Sequence, residues 1–209
     1  MEAAVIRQYA ADFQERISAM LEFINSIDSS ILLFIQESVR TPFLTPAVTF
    51  ITSLGNAGII WIIMSLLLMI PPKTRKIGCM SILALLFSLL INNLLLKNLV
   101  RRTRPYDCIS ALVPLVPKPL DYSFPSGHTG SSFAAAWVMY RSLPKKAGIP
   151  VLVLAVLIGL SRLYVGVHYP SDVLTGVLTG ILSGYLAERL FRLISKSGTP
   201  LDRFLNPEK

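Results

Sequence analysis

Apolar residues in this chain come in long, nearly uninterrupted blocks. Residues 45–70, 77–96, a stretch from just after Pro125 to about 140, 149–160 with its flanks, and 173–194 each approach the roughly 20 residues that carry a helix across a bilayer. Within hydrocarbon every backbone amide must be bonded inside the protein, and a helix does that locally. The expected fold is therefore all-α, a polytopic bundle of membrane helices. Composition agrees, since 53% of the residues are hydrophobic and 15% charged, against roughly 25% charged in an average soluble domain. One integral membrane domain over 1–209 is expected, with a core at 43–196 and a short polar tail at 197–209.

Residues 1–42 are less regular. The stretch 17–39 is largely apolar but is interrupted by Glu22, Asn25, Asp28 and Glu37. It is either a sixth span or an amphipathic helix in the interface, and the sixth span is the preferred reading. The first residues carry Glu2 and Asp12 and have no long apolar run, unlike a cleaved signal peptide. The third and fifth blocks are rich in Gly, Ala, Ser and Thr, which let membrane helices approach closely, so both belong inside the bundle.

The net charge of +8 does not point to nucleic acid, because Lys and Arg cluster at the ends of the apolar blocks. Such charges fix orientation and meet anionic headgroups. Lys73, Arg75, Lys76, Arg141, Lys145, Lys146, Arg192, Lys196 and Arg203 fall on one side, which the positive-inside rule makes cytoplasmic together with the C-terminus. The opposite side nevertheless holds Lys97, Arg101, Arg102, Arg104 and Lys118. An anionic substrate explains cations there, with Arg101 and Arg102 expected to meet only headgroups. Cys79 lies in a span and Cys108 in a polar loop, so no disulfide and no paired-Cys metal site are expected.

Three polar breaks interrupt the apolar pattern, and alternation of the spans puts all three on the outer side. The first is KNLVRRTRP at 97–105, where Arg suits bidentate phosphate contact and Lys a compact charge. The second is PSGH at 125–128, opening a span: Ser126 suits a helix N-cap, Gly127 close backbone approach, and free helix-terminal amides an anion. The third is SRLYVGVHYPSD at 161–172, with Pro170 in the first helical turn and Asp172 able to reach back to His168. A carboxylate on one imidazole nitrogen fixes the tautomer and raises the basicity of the other. The chain has two histidines, His128 and His168, and both lie in these breaks. Read singly, each break has a plain alternative: interfacial snorkelling, an ordinary cap, a satisfied His–Asp pair. Together they suit phosphoryl transfer.

These three segments resemble the tripartite signature of the type 2 phosphatidic acid phosphatase superfamily. Lys97 with Arg104-Pro105, then Pro125-Ser126-Gly127-His128, then Ser161-Arg162, His168 and Asp172 match it at every position. The likeness is greatest to small bacterial members acting on phosphatidylglycerophosphate, undecaprenyl pyrophosphate and related lipids, and it implies a six-helix membrane core. It implies that His168 attacks phosphorus, that Asp172 orients it, and that His128 protonates the leaving oxygen. Lys97, Arg104 and Arg162, with Ser126 and the Gly127 amide, would hold the phosphate. It implies no metal and no other cofactor, and neither nucleic acid nor an obligate protein partner is inferred. The substrate class is a lipid phosphate or pyrophosphate, phosphatidic acid and diacylglycerol pyrophosphate included, reached through an apolar gap expected beside the third and fifth spans. The rival readings are a two-histidine zinc hydrolase, a lipid-phosphate binder or flippase without hydrolysis, and a lipid phosphotransferase.

Overall fold

The computed structural model describes residues 2–194, so the expected tail lies outside the described residues. Helix α1 (Glu2–Phe34) runs on through a π-helical turn at Ile35–Val39. Helices α2 (Leu44–Leu54) and α3 (Ile59–Met69) follow, and α4 (Pro72–Ser88) continues through a π-helical stretch, Leu89–Leu96, into α5 (Lys97–Val100). A short α6 (Pro105–Cys108) precedes a long loop, and α7 (Gly127–Ser142), α8 (Lys145–Tyr164) and α9 (Pro170–Ile194) complete the bundle.

Three stretches are long and apolar enough to cross a membrane: Ala11–Val39, Pro72–Cys108 and Lys145–Tyr164. The pair Leu44–Leu54 and Asn56–Met69 makes a fourth, bent by 48°. With 16 residues α7 is short, and α9 carries Asp172, Glu188, Arg189 and Arg192, so a count of six crossings is not established by length and composition. In α1, Phe13, Met20, Phe23 and Phe34 face outward while Asp28 and Leu32 are buried. A large apolar outer surface is expected of a helix in lipid and agrees with a span near the N-terminus.

The single span expected at 45–70 is broken. Gly55-Asn56-Ala57-Gly58 interrupts it, with Ala57 at φ 50° and Gly58 at φ 68°. Left-handed backbone costs an alanine roughly 1–2 kcal/mol, so the surrounding packing has to hold this break in place. Trp61 does so in part, donating its indole N–H to Ser132 Oγ of α7 at 2.8 Å.

The small residues of α7 and α9 lie at the centre, as expected, and the two helices are in direct contact. A Cβ on Gly180 would stand 2.6 Å from the Gly130 carbonyl oxygen, and one on Gly176 would stand 2.8 Å from that of Ser126. No methyl fits there, and this closeness seats the N-terminus of α7 against the start of α9. Asn92, in the π-helical stretch, accepts from Thr179 Oγ1 of α9 at 2.7 Å and ties a third helix to the pair.

Gly180→Ala should therefore destabilise the folded protein by about 1–3 kcal/mol through overpacking. At Gly159 the nearest atom to an added Cβ is 3.4 Å away, so Gly159→Ala should be neutral or slightly stabilising. Thermal unfolding of both variants in detergent checks the contrast, and equal behaviour would contradict the packing described.

Candidate active site

The turn between α8 and α9 carries the densest polar chemistry. Gly166, at φ 74°, turns the chain, and Pro170 begins α9 where an N–H would have no helical partner. His168 on this turn is 2% exposed and Asp172 is fully buried. His168 Nδ1 faces Asp172 Oδ2 at 3.5 Å, long for a hydrogen bond but close for a charge. That oxygen also accepts from Ser123 Oγ at 2.5 Å and from the Tyr169 N–H at 2.9 Å. Burial pushes the His168 imidazole down to about 4, with Asp172 opposing in part, so the ring is neutral at neutral pH.

Cations close on the other ring nitrogen. Arg104 Nη1 donates to the Val167 carbonyl at 2.8 Å and lies 3.4 Å from His168 Nε2. Its Nη2 pairs with Asp121 Oδ1 at 2.5 Å, and Lys97 Nζ pairs with Asp121 Oδ2. Burial alone would raise the Asp121 carboxyl, but the Lys97 and Arg104 charges win and hold it at about 2. Arg162, in the last turn of α8, donates to Thr52 Oγ1 at 2.7 Å, while its buried Nε meets no acceptor among the described residues.

The start of α7 supplies the third group. Ser126 caps the helix, its Oγ accepting from the Thr129 N–H at 3.4 Å and from Thr129 Oγ1 at 2.9 Å. The Ser126 N–H donates to the Asp172 carbonyl at 3.1 Å, which fixes the two helix ends against each other. His128 Nε2 lies 3.0 Å from Asn56 Oδ1, so the break between α2 and α3 engages this ring.

A cavity of about 630 Å³ joins these groups. Of the expected site residues, Lys97, Arg104, Gly127, His128, Arg162 and His168 line it. Asp172 stands behind His168, and Ser126 is buried as the cap rather than on the cavity wall. The apolar end is formed by Ile62 of α3 and Ile82, Leu85, Leu86 and Leu89 of α4 and its continuation. The cavity thus lies beside α7, through Gly127, His128 and Ser131, as expected for the third span, and beside α3 and α4, but the described residues of α9 do not line it, because the glycine contacts close α9 against α7. Among the described residues no group of three or more His, Cys, Asp or Glu is placed to hold a metal ion.

Arg102 departs from its expected role. It does not face headgroups but pairs with Asp28 and Asp172. Arg101 beside it is exposed, as expected. Asp121, Asn56 and Thr52 were not expected at the site at all. For Asn56 the signal is the glycine-flanked polar residue at 55–58 inside an apolar block. For Asp28 it is a carboxylate within a candidate span, where ionisable groups are usually functional. Nothing in local spacing marks Asp121.

A family model for the PAP2 superfamily matches residues 78–195, more than half of the chain. An undecaprenyl-diphosphatase of Sulfolobus acidocaldarius is 36% identical over 117 residues, which is 56% of this chain and 56% of that protein's length. Phosphatidylglycerophosphatase B of Bacillus subtilis is 32% identical over 66% of this chain and 70% of its own. The crystal structure of a transmembrane PAP2-type phosphatidylglycerolphosphate phosphatase from Bacillus subtilis superposes with a TM-score of 0.67 at 30% identity, covering 84% of this chain and 89% of that one.

An anion that reaches Lys97 and Arg104 must displace the Asp121 carboxylate. Asp121→Asn should tighten inhibition by inorganic phosphate several-fold, measured on the reconstituted protein. Weaker inhibition would mean that Asp121 instead holds the two cations in place for the anion.

Proposed function

Since the chain belongs to the PAP2 superfamily, we propose that it is a membrane-embedded phosphatase that hydrolyses the terminal phosphate of a lipid phosphate or pyrophosphate, with His168 as the nucleophile. One observation carries this reading: a neutral, buried His168 stands between the Asp172 carboxylate and three cations, at the polar head of an apolar-walled cavity. Binding alone requires neither a neutral imidazole backed by a carboxylate nor a second histidine across the same cavity.

The reaction runs in two displacements. His168 Nε2 attacks phosphorus while Asp172 holds the ring from Nδ1, and a P–N bond forms as the bond to the leaving oxygen breaks. His128 gives its proton to that oxygen. Water, losing its proton to His128, then attacks the phosphohistidine; inorganic phosphate leaves and His168 returns to its neutral form. Lys97, Arg104 and Arg162, with the Gly127 amide at the α7 N-terminus that Ser126 caps, take up charge on the phosphoryl oxygens. The lipid chains stay in the bilayer, because extracting them costs about 0.8 kcal/mol per methylene. The apolar end of the cavity, along α3 and α4, suits the part of the lipid that adjoins the headgroup.

Six crossings, with the cavity at the outer interface and the C-terminus in the cytoplasm, complete the proposal. Lys73, Arg75 and Lys76, then Lys145 and Lys146, lie at the helix ends remote from the cavity, which supports this orientation. The exposed Cys108, the last residue of α6, provides the test. In a Cys79→Ser background it should react with an impermeant thiol reagent added to whole cells. Labelling only after the cells are opened would reverse the topology.

Activity is tested by phosphate release from phosphatidylglycerophosphate, undecaprenyl pyrophosphate, phosphatidic acid and diacylglycerol pyrophosphate, presented to the reconstituted protein. Release from at least one is expected, and binding without release would make the protein a lipid-phosphate binder. Arg104→Ala or Arg162→Ala should cost roughly 2.7–4 kcal/mol of transition-state stabilisation, by analogy with loss of one oxyanion donor. Arg101→Ala should change little, and equal mild losses at all three would mean that the basic segment only anchors the protein.

A further inference from the structure

Behind Asp172, away from the cavity, lies a second buried charge cluster. The Arg102 guanidinium joins three parts of the chain. Its Nη1 donates to Asp172 Oδ1 and to Ser171 Oγ, both at 2.7 Å. Its Nη2 donates to Asp28 Oδ2 at 2.7 Å and to Asn25 Oδ1 at 2.6 Å, both in α1. The group stacks on the Tyr169 ring, 3.9 Å from its centroid, and the side chain is 17% exposed. Asp28 in turn accepts from the Ser171 N–H at 3.0 Å and from Ser171 Oγ at 2.5 Å.

A guanidinium that served only to tie α1 to the bundle needs no bond to the carboxylate that faces His168. Here the other carboxylate oxygen, Oδ1, takes its hydrogen bond from Arg102. Two buried carboxylates, Asp28 and Asp172, share this one cation. Taking away one partner of a buried ion pair leaves an uncompensated charge, so without Arg102 the two carboxylates oppose each other across Ser171. The Asp172 carboxylate then keeps Ser123 and the Tyr169 N–H on Oδ2 but loses its charged partner on Oδ1, which loosens its alignment on His168 Nδ1. Asp28 matters for the same reason in reverse: it fixes the far side of the guanidinium, so that Nη1 points at Oδ1. Arg102 does not line the cavity, so it acts without touching substrate. Asp28 lies outside the residues 78–195 that the family match covers, so this part of the site is built from the N-terminal helix.

We propose that Arg102, held by Asp28 of α1, is a positioning residue for the reaction at His168, fixing the orientation and charge of the Asp172 carboxylate. The proposal rests on the phosphatase reading above. Its effect belongs to turnover rather than to binding, because the phosphate meets Lys97, Arg104 and Arg162 and not Arg102.

The test uses the full chain, reconstituted, with the best substrate of the four-lipid panel. Arg102→Met should lower kcat roughly 10- to 100-fold, the range typical for loss of an outer partner of a functional group. KM and inhibition by inorganic phosphate should stay within about twofold. Arg102→Lys, which keeps a charge but not the fork, should restore part of the rate. In an Asp172→Asn background Arg102→Met should cost little more, since the two act as one unit. A structural tie alone would give equal losses in both backgrounds, and that result, or an unchanged kcat in Arg102→Met, overturns the proposal. If Arg102→Met does not fold, Asp28→Asn decides: a several-fold drop in kcat at constant KM supports the proposal, and an unchanged kcat overturns it. Wild-type protein that releases no phosphate from any of the four lipids overturns the phosphatase reading and this proposal with it. An active wild type with additive variants overturns this proposal alone.

Discussion

Three buried cations, Lys97, Arg104 and Arg162, converge on one cavity, and the architecture around them answers the problem they create. Withdrawing an ion from water costs several kcal/mol unless partners replace the lost hydration. Asp121 pairs with two of them, offsetting one charge, and among the described residues Arg162 has the Thr52 hydroxyl on Nη1 while its Nε has no partner. A site of this kind favours an anion with several oxygens over any neutral guest. Its low dielectric strengthens each contact with charge that develops during phosphoryl transfer. Burial, with Arg104 and Arg162, disfavours a proton on His168, which keeps the attacking nitrogen free.

Holding such a cluster requires a scaffold that does not yield. Close contact of α7 with α9 at Gly130, Gly176 and Gly180 brings the helix carrying Gly127 and His128 against the one carrying Asp172. The bond from the Ser126 N–H to the Asp172 carbonyl locks that relation. On the opposite wall the proposed reaction sets a different requirement, since a lipid substrate would bring its headgroup in while its chains remain outside. The bent α2–α3 pair and the aliphatic face of α4 supply that wall, and the break at 55–58 brings Asn56 to His128.

Much of this was legible in the sequence because of parity. On the expectation that the apolar blocks alternate across a bilayer, every second connection falls on the same side, and the breaks at 97–105, 125–128 and 161–172 are expected to meet. The small-residue content of α7 and α9 likewise foretold their central place. Other features depend on tertiary structure that no local pattern encodes. Asp121 reaches Lys97 and Arg104 only through the path of a long loop. Arg101 and Arg102 are identical in type and adjacent, yet the left-handed backbone at Arg101 directs one outward while the next is buried against Asp28. The apolar block at 45–70 was read as continuous because four residues of weak hydropathy barely dilute so long a run, although two of them are glycines. The cavity borders the third span but not the fifth, because small residues mark close contact and α9 is closed against α7 where they meet.

The proposed mechanism requires that a covalent phosphoryl group form on His168. Rapid acid-free quenching of the reconstituted protein during turnover of a lipid labelled with radioactive phosphate measures it directly. The account predicts acid-labile label on the wild-type chain, mapped to His168, absent in His168→Ala and still formed, more slowly, in His128→Ala. Label that persists in His168→Ala and vanishes in His128→Ala would exchange the two roles, and phosphate release with no trapped label in any variant would contradict the covalent route altogether.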